Sequence, residues 1–273
     1  MSIILERARR GARPVIGMVQ LGPLAGGSRH RGEPIDGVLD AAVTDAALLA
    51  RHGIDAVMVQ NLGDLPTALH VAMPQVAWMT RIVSDVQRTS GLPVGLNFLE
   101  NDAAAMFAVA AAAPVDFVRI KVFVGAMTTP SGIEGGQAFA AQRARNAWGA
   151  GDTAILADVH DRTGVPLGTA GLAEDIHHAV ALGGADGIVL TGRSWQETCD
   201  FITTGRQAAH GAPLLIGGSV SGSNYAAAHD LADGVIVSSC LKADETPFGR
   251  IDADRLDRFM RTVRAVRAGH SRV

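Results

Sequence analysis

The sequence predicts an α/β protein built as one (β/α)8 barrel of the TIM type with a short N-terminal helix, a single domain over residues 1–273. Three observations carry this. Short apolar runs alternate with helical patterns along the whole chain, the order expected of a parallel sheet. The runs show little polar alternation, as strands covered on both faces do. Counting them gives eight. An open doubly wound sheet is the rival architecture, but it places a G-x-G-x-x-G turn after its first strand, and VIGMVQLGPLAGG is not one.

Each element follows from the local pattern. Residues 2–10 read as a short amphipathic helix stopped by Gly11 and Pro14, and residues 15–19 (VIGMV) as the first strand. A helix over 35–52 ends at Gly53, and strand two covers 56–59. Residues 74–90 form the next helix, with strand three at 93–97. The alanine-rich stretch 102–113 is helical by propensity, and strand four covers 117–122. A long loop, 123–137, precedes a helix over 138–148. Strand five (154–159), a helix (173–182), strand six (187–190) and a helix (195–210) follow. Strand seven (214–216), a short helix (225–231), strand eight (234–237) and a helix (252–268) complete the count.

Composition narrows the partners. A net charge of -3 and a pI near 6.3 come from interspersed acids and bases, with no basic block to track a nucleic acid polymer. No apolar run approaches the ~18 residues of a membrane span, and the N-terminus MSIILERARRGARP has no apolar signal region, so a cytoplasmic location is expected. Cys199 and Cys240 make neither a disulfide framework nor a metal spacing and read as reduced, packed thiols. No metal site is expected, since His30, His52, His70, His210 and His229 lack ligand spacing. A homo-oligomer is expected, as for many barrels.

The eight-strand count gives the polar residues one destination, the rim at the strands' carboxyl ends. Gln20, Asn61, Asn97, Asp158, Thr191, Ser219 and Ser238 fall there. In strand four, Val118, Ile120 and Val122 share one face while Phe117, Arg119 and Lys121 share the other. Packing the apolar face on helices turns both cations inward, where an anion must answer them. By the same parity Leu156, Asp158 and His160 point inward from strand five. Asp158, Lys121, Arg119 and His160 are therefore the candidate catalytic set. The competing structural reading makes Arg119 and Asp158 an internal salt bridge, and His160 a turn residue.

The segments LLIGGSVSGSNY and DGVIVSSCLK each break from a strand into glycine and serine, where backbone N–H groups can cradle an anion. As strands seven and eight they form the usual phosphate site of such barrels. Gly217, Gly218, Ser219, Gly222, Ser238, Ser239 and Lys242 are the phosphate-binding candidates. The plainer reading makes the glycines tight turns and Lys242 a solvated loop charge. Gln20, Gln60, Asn61, Asp64, Asn97, Glu134 and Thr191 form the substrate-binding set.

VIGMVQLGPLAGGSR, DAVMVQNLGDLP, PVGLNFLENDA, FVRIKVFVGA, GIEGGQAF, ILADVHDRTGVPLG and the two glycine–serine segments together resemble the BtpA/SgcQ family, from about Pro14 to the last helix. The resemblance implies a ribulose-phosphate-binding type of barrel, with one branch linked to photosystem I assembly and another to sugar-utilisation gene clusters. This chain departs from the pattern: Gln20 and Gln60 stand where the family has His and Glu, Arg162-Thr163 replaces Lys-His, and Lys121 replaces Asn. Amides neither titrate near neutrality nor ligate metals strongly, so acid–base work would pass to Asp158, His160 or Lys121.

The expected function is an enzyme acting on a phosphorylated sugar or ribosyl compound, by lyase or isomerase chemistry or by chemistry at a glycosidic bond. Lys121 as a Schiff-base amine serves the first, and a carboxylate beside amide clamps the second. The alternative is a non-catalytic assembly or ligand-binding protein. The sequence requires no cofactor, and a divalent metal would arrive with the substrate's phosphate.

Overall fold

A computed structural model describes residues 2–270. In chain order its strands are β1 (Val15–Gln20), β2 (Ala56–Gln60), β3 (Val94–Asn97), β4 (Phe117–Ile120), β5 (Ala126–Thr129), β6 (Gly132–Gly135), β7 (Ala154–Asp158), β8 (Val165–Leu167), β9 (Gly187–Leu190), β10 (Leu214–Ile216) and β11 (Gly234–Val237). Eight of them pair in parallel and close into a barrel, in the order β1-β11-β10-β9-β7-β4-β3-β2. The (β/α)8 expectation holds, and the seventh and eighth barrel strands are β10 and β11, side by side.

The helices are α1 (Ile3–Arg9), α2 (Ile35–His52), α3 (Met73–Ser90), α4 (Ala103–Ala110), α5 (Ala138–Ala147), α6 (Leu172–His177), α7 (Trp195–Ala208), α8 (Tyr225–Leu231) and α9 (Ala253–His270). Local chemistry sets their ends. Ser194 and Asp102 cap α7 and α4 by accepting from backbone N–H groups, while Gly53 and Gly91 end α2 and α3 in left-handed geometry. No helix of the described residues is long and apolar enough to cross a membrane.

Strand parity splits the apolar side chains into two populations. Val118, Ile120, Ile155 and Ala157 join the large cluster between sheet and helices. Ile16, Met58, Phe117, Leu156, Leu215 and Ile236 fill the cylinder. Gly95 makes room for Phe117, whose ring carbons lie 2.1 Å from where a Cβ at Gly95 would sit. At the base α1 acts as a plug: Ile4 and Leu5 belong to the interior cluster. The Asp116 carboxylate accepts from Ser2 Oγ (2.7 Å) and from the N–H of Ile3 (2.8 Å) and Ile4 (3.2 Å).

The expected long loop over 123–137 is instead a hairpin of β5 and β6, extended by β8 into a three-stranded antiparallel sheet, order β6-β5-β8. Its strands are short, and threonine and glycine interrupt their apolar positions, so no clear alternation marks them. The helix expected over 173–182 also changes character, turning from α6 into a π-helical turn at His178–Leu182.

Candidate functional site

The carboxyl ends of the barrel strands open into a cavity of about 670 Å³. Arg119 and Lys121 of the β4 end, Asp158 of β7 and Thr191 beyond β9 line it, as do Gln20, Gln60 and Asn97. Both glycine–serine turns share the same wall, through Gly217, Gly218 and Ser219 on one side and Ser238 and Ser239 on the other. Met18, Leu62, Leu65, Leu99 and Ile236 give it an apolar side.

On the cavity floor the Arg119 guanidinium meets Asp158 with two parallel hydrogen bonds, Nε to Oδ2 and Nη2 to Oδ1, both 2.8 Å. The Asp158 side chain is 2 % exposed and that of Arg119 12 %. Burial pushes the Asp158 carboxyl up to about 6, and the attraction of Arg119 opposes it. Burial also works against the charge of Arg119, but Asp158 outweighs it and holds the guanidinium above its ordinary range. The pair is thus a buried ion pair whose carboxyl is held above the ordinary aspartate range.

Around the rim a belt of side chains follows the barrel order. Ser238 Oγ donates to Gln20 Oε1 (2.8 Å), Gln20 Nε2 to Gln60 Oε1 (3.4 Å), Gln60 Nε2 to Asn97 Oδ1 (2.6 Å), and Asn97 Nδ2 to the carbonyl of Arg119 (2.7 Å). Gln20 and Gln60 are therefore links that tie β11, β1, β2, β3 and β4 together. Gly217 sits so close to the floor that an added Cβ would lie 2.5 Å from Thr191 Oγ1 and Val189 Cγ1, and 2.9 Å from Arg119 Nη2. Thr191 Oγ1 is buried at this wall without a hydrogen bond.

Other candidates stand elsewhere. His160 lies beyond the end of β7 with φ at 54°, so the parity that aims Asp158 inward does not extend to it. Its Nε2 is 2.7 Å from Asp175 Oδ2, and it lines a second, smaller cavity of about 50 Å³ that it shares with Asp158, Lys121 and Thr169. Asn61 and Asp64 are buried behind the cavity wall. Asn61 Nδ2 and Gln75 Nε2 each donate to both Asp64 and Glu100, at 2.8 to 2.9 Å, in a closed ring that uses their polar atoms. Burial raises the Glu100 carboxyl above its usual range despite those bonds.

Glu134 reaches across from β6 to accept from Lys121 Nζ (2.9 Å) and Thr129 Oγ1 (2.6 Å), which fastens the antiparallel sheet to the rim. Lys242 is 1 % exposed and off the cavity wall, so it is neither a solvated charge nor a rim cation. Burial lowers its pKa, with the nearby Asp45 acting in the opposite sense. Gly222 also lies away from the cavity, near Thr262.

Arg162 was the residue the sequence undervalued. Its Nη1 donates to Ser219 Oγ at 2.8 Å, and its guanidinium is 3.3 Å from where a Cβ at Gly218 would lie. A cation therefore faces the first glycine–serine turn from the loop after β7. Its place just beyond a strand end was the available signal. Cys240, of the second glycine–serine segment, also lines the cavity, as do Glu245 and Pro247 from a turn that carries no motif.

Eight parallel strands closed around a packed core, with a polar cavity over their carboxyl ends, define a (β/α)8 barrel. Solved structures agree on the fold. Tryptophan synthase of Mycobacterium tuberculosis superposes with a TM-score of 0.63 at 15% identity, covering 96% of each chain. Phosphoribosyl anthranilate isomerase from Thermococcus kodakaraensis gives 0.55 at 15% identity, over 92% of this chain and 99% of its own. The model of the BtpA family matches residues 11–265, and the chain belongs to that family. Among its relatives is the photosystem I biogenesis protein BtpA of Synechocystis, 35% identical over 90% of this chain and 86% of that protein.

Proposed function

We propose that this chain is an enzyme that binds a small phosphorylated sugar or ribosyl compound and transfers a proton on it, in a lyase, isomerase or glycosidic-bond reaction. One observation carries the reading: two glycine–serine turns and a buried acid with a pKa near neutrality open into one cavity. The phosphate would rest on the Gly218–Ser219 and Ser238–Ser239 turns, with Arg162 neutralising it. Asp158 would act as the acid or base, and Arg119 would hold its carboxylate in place and stabilise developing negative charge. The apolar wall of Met18, Leu62 and Ile236 suits the organic half. A barrel neighbour whose name includes a phosphoribosyl substrate supports the class of ligand.

Lys121 is held by Glu134 and by the carbonyl of Leu99, which favours a positioning charge over a condensing amine. Borohydride trapping with substrate should leave it unmodified.

The name of the Synechocystis relative favours a second reading, an assembly or ligand-binding protein whose pocket does not turn over. A thermal-shift series with ribose 5-phosphate, a nucleoside monophosphate and inorganic sulfate tests the enzyme reading. The organic phosphates should raise the melting temperature more than sulfate does, and Arg162→Ala should remove most of the gain. Turnover of a stabilising ligand, lost in Asp158→Asn, separates enzyme from binder. Equal responses in wild type and Arg162→Ala would overturn the phosphate site.

A further inference from the structure

Far from the mouth of the barrel, the C-terminal ends of α8 and α9 bring together His229, Asp230 and His270. One ligand atom from each lies within 4.8 Å of the other two. His229 and His270 belong to separate helices, so no local spacing in the chain announces the group. The two ring centroids lie 4.5 Å apart, with the rings tilted by 51°.

A buried ring nitrogen without a hydrogen bond is what points to a ligand. His270 Nδ1 is 2.9 Å from the carbonyl of Val266, a pure acceptor, so Nδ1 must carry the hydrogen. Its other ring nitrogen, Nε2, faces Asp230 Oδ1 at 2.8 Å. The same carboxylate oxygen lies 3.5 Å from His229 Nδ1. His229 is 5 % exposed, and this buried nitrogen makes no hydrogen bond. Two ring nitrogens therefore converge on one anionic oxygen. A cation among the three answers both.

We propose that His229, Asp230 and His270 form a binding site for a divalent transition metal ion of the zinc class. Two imidazoles and a carboxylate suit such an ion. With bonds of about 2.0 to 2.1 Å, neighbouring donors in a tetrahedron stand about 3.3 Å apart. The separations of 2.8 and 3.5 Å bracket that value. The third separation, between the two imidazole nitrogens, is within 4.8 Å. A water molecule takes the fourth position. Arg267, on the same face of α9, is held by Asp55 at 2.6 Å, so its charge is answered away from the ion. The ion ties the last helix to α8, on the far side of the core from the cavity, so its effect is on stability.

The test uses the full chain, stripped with a chelator and titrated with Co²⁺ and then Zn²⁺. One equivalent of Co²⁺ should produce the visible absorption of a four- or five-coordinate ion, and Zn²⁺ should displace it. Zn²⁺ should also raise the melting temperature. His270→Ala and Asp230→Ala change half-exposed side chains, so both variants fold, and each should weaken binding at least ~10-fold and abolish the thermal gain. His210→Ala, which removes a surface histidine paired with His177, should bind as wild type does. No saturable one-to-one binding, or binding unchanged in His270→Ala, or binding lost in His210→Ala, would overturn the site.

Discussion

Replacing Arg119 with methionine should destabilise the protein far more near pH 8 than near pH 5, and the difference measures the charge of Asp158. In the wild type the Asp158 carboxyl titrates at about 6, above the ~3.9 of an unfolded aspartate. Folding therefore favours the protonated form. That contribution is complete below about pH 4 and is lost as pH rises through the folded value. Arg119 lowers the Asp158 pKa through both its charge and its hydrogen bonds, so its removal must raise that pKa further. Near pH 8 the variant must either bury an unpaired carboxylate or bind a proton against the solvent. The expected loss is about 3 to 5 kcal/mol, the usual cost of breaking a buried pair from one side.

Near pH 5 the carboxyl is largely neutral in both proteins, and the penalty shrinks. It shrinks by about 1.4 kcal/mol for each unit by which the variant's pKa exceeds that of the wild type within the window. The unfolded states titrate alike and cancel. Urea unfolding of both proteins at the two pH values supplies the four free energies. Equal penalties at both values would refute the assignment of Asp158 as the ionised partner of Arg119.

Three further outcomes follow from the geometry. Gly217→Ala forces a methyl against Thr191, Val189 and Arg119, and should cost about 1 to 3 kcal/mol in urea unfolding while weakening phosphate-ligand binding. Glu134→Gln leaves the fold intact but removes the charge that holds Lys121. Limited proteolysis should then cut within residues 126–135 several-fold faster, with the global melting temperature little changed. Burial raises the Cys240 thiol to about 11, so alkylation by iodoacetamide should be slow at neutral pH and accelerate only in strong base, as followed by mass spectrometry.

Much of the barrel could be read from the chain because its signal is local. Buried parallel strands are short apolar runs, and the parity of Val118, Arg119, Ile120 and Lys121 determines which side chains enter the cylinder. What escaped notice depends on long-range meetings. The 126–135 hairpin has too few apolar positions to look like a sheet, and it exists because Glu134 finds Lys121 and β5 finds β8. His160 lost its expected direction to one left-handed residue just past a strand end. Lys242 follows a strand as a rim residue would, yet the turn at Ser239–Leu241 carries it under the surface toward Asp45. Asn61 and Asp64 stand at a strand end by number, but their ring with Gln75 and Glu100 draws them behind the wall.

The helix that stoppers the base makes the barrel a cup and not a pipe. With Ile4 and Leu5 packed into the interior cluster with Phe117 and Leu156, the base is closed by side chains, and the larger cavity reaches Asp158 past the same serines and Arg162 that greet an arriving molecule. An occupant that fills the mouth therefore also displaces the water standing over the acid below it.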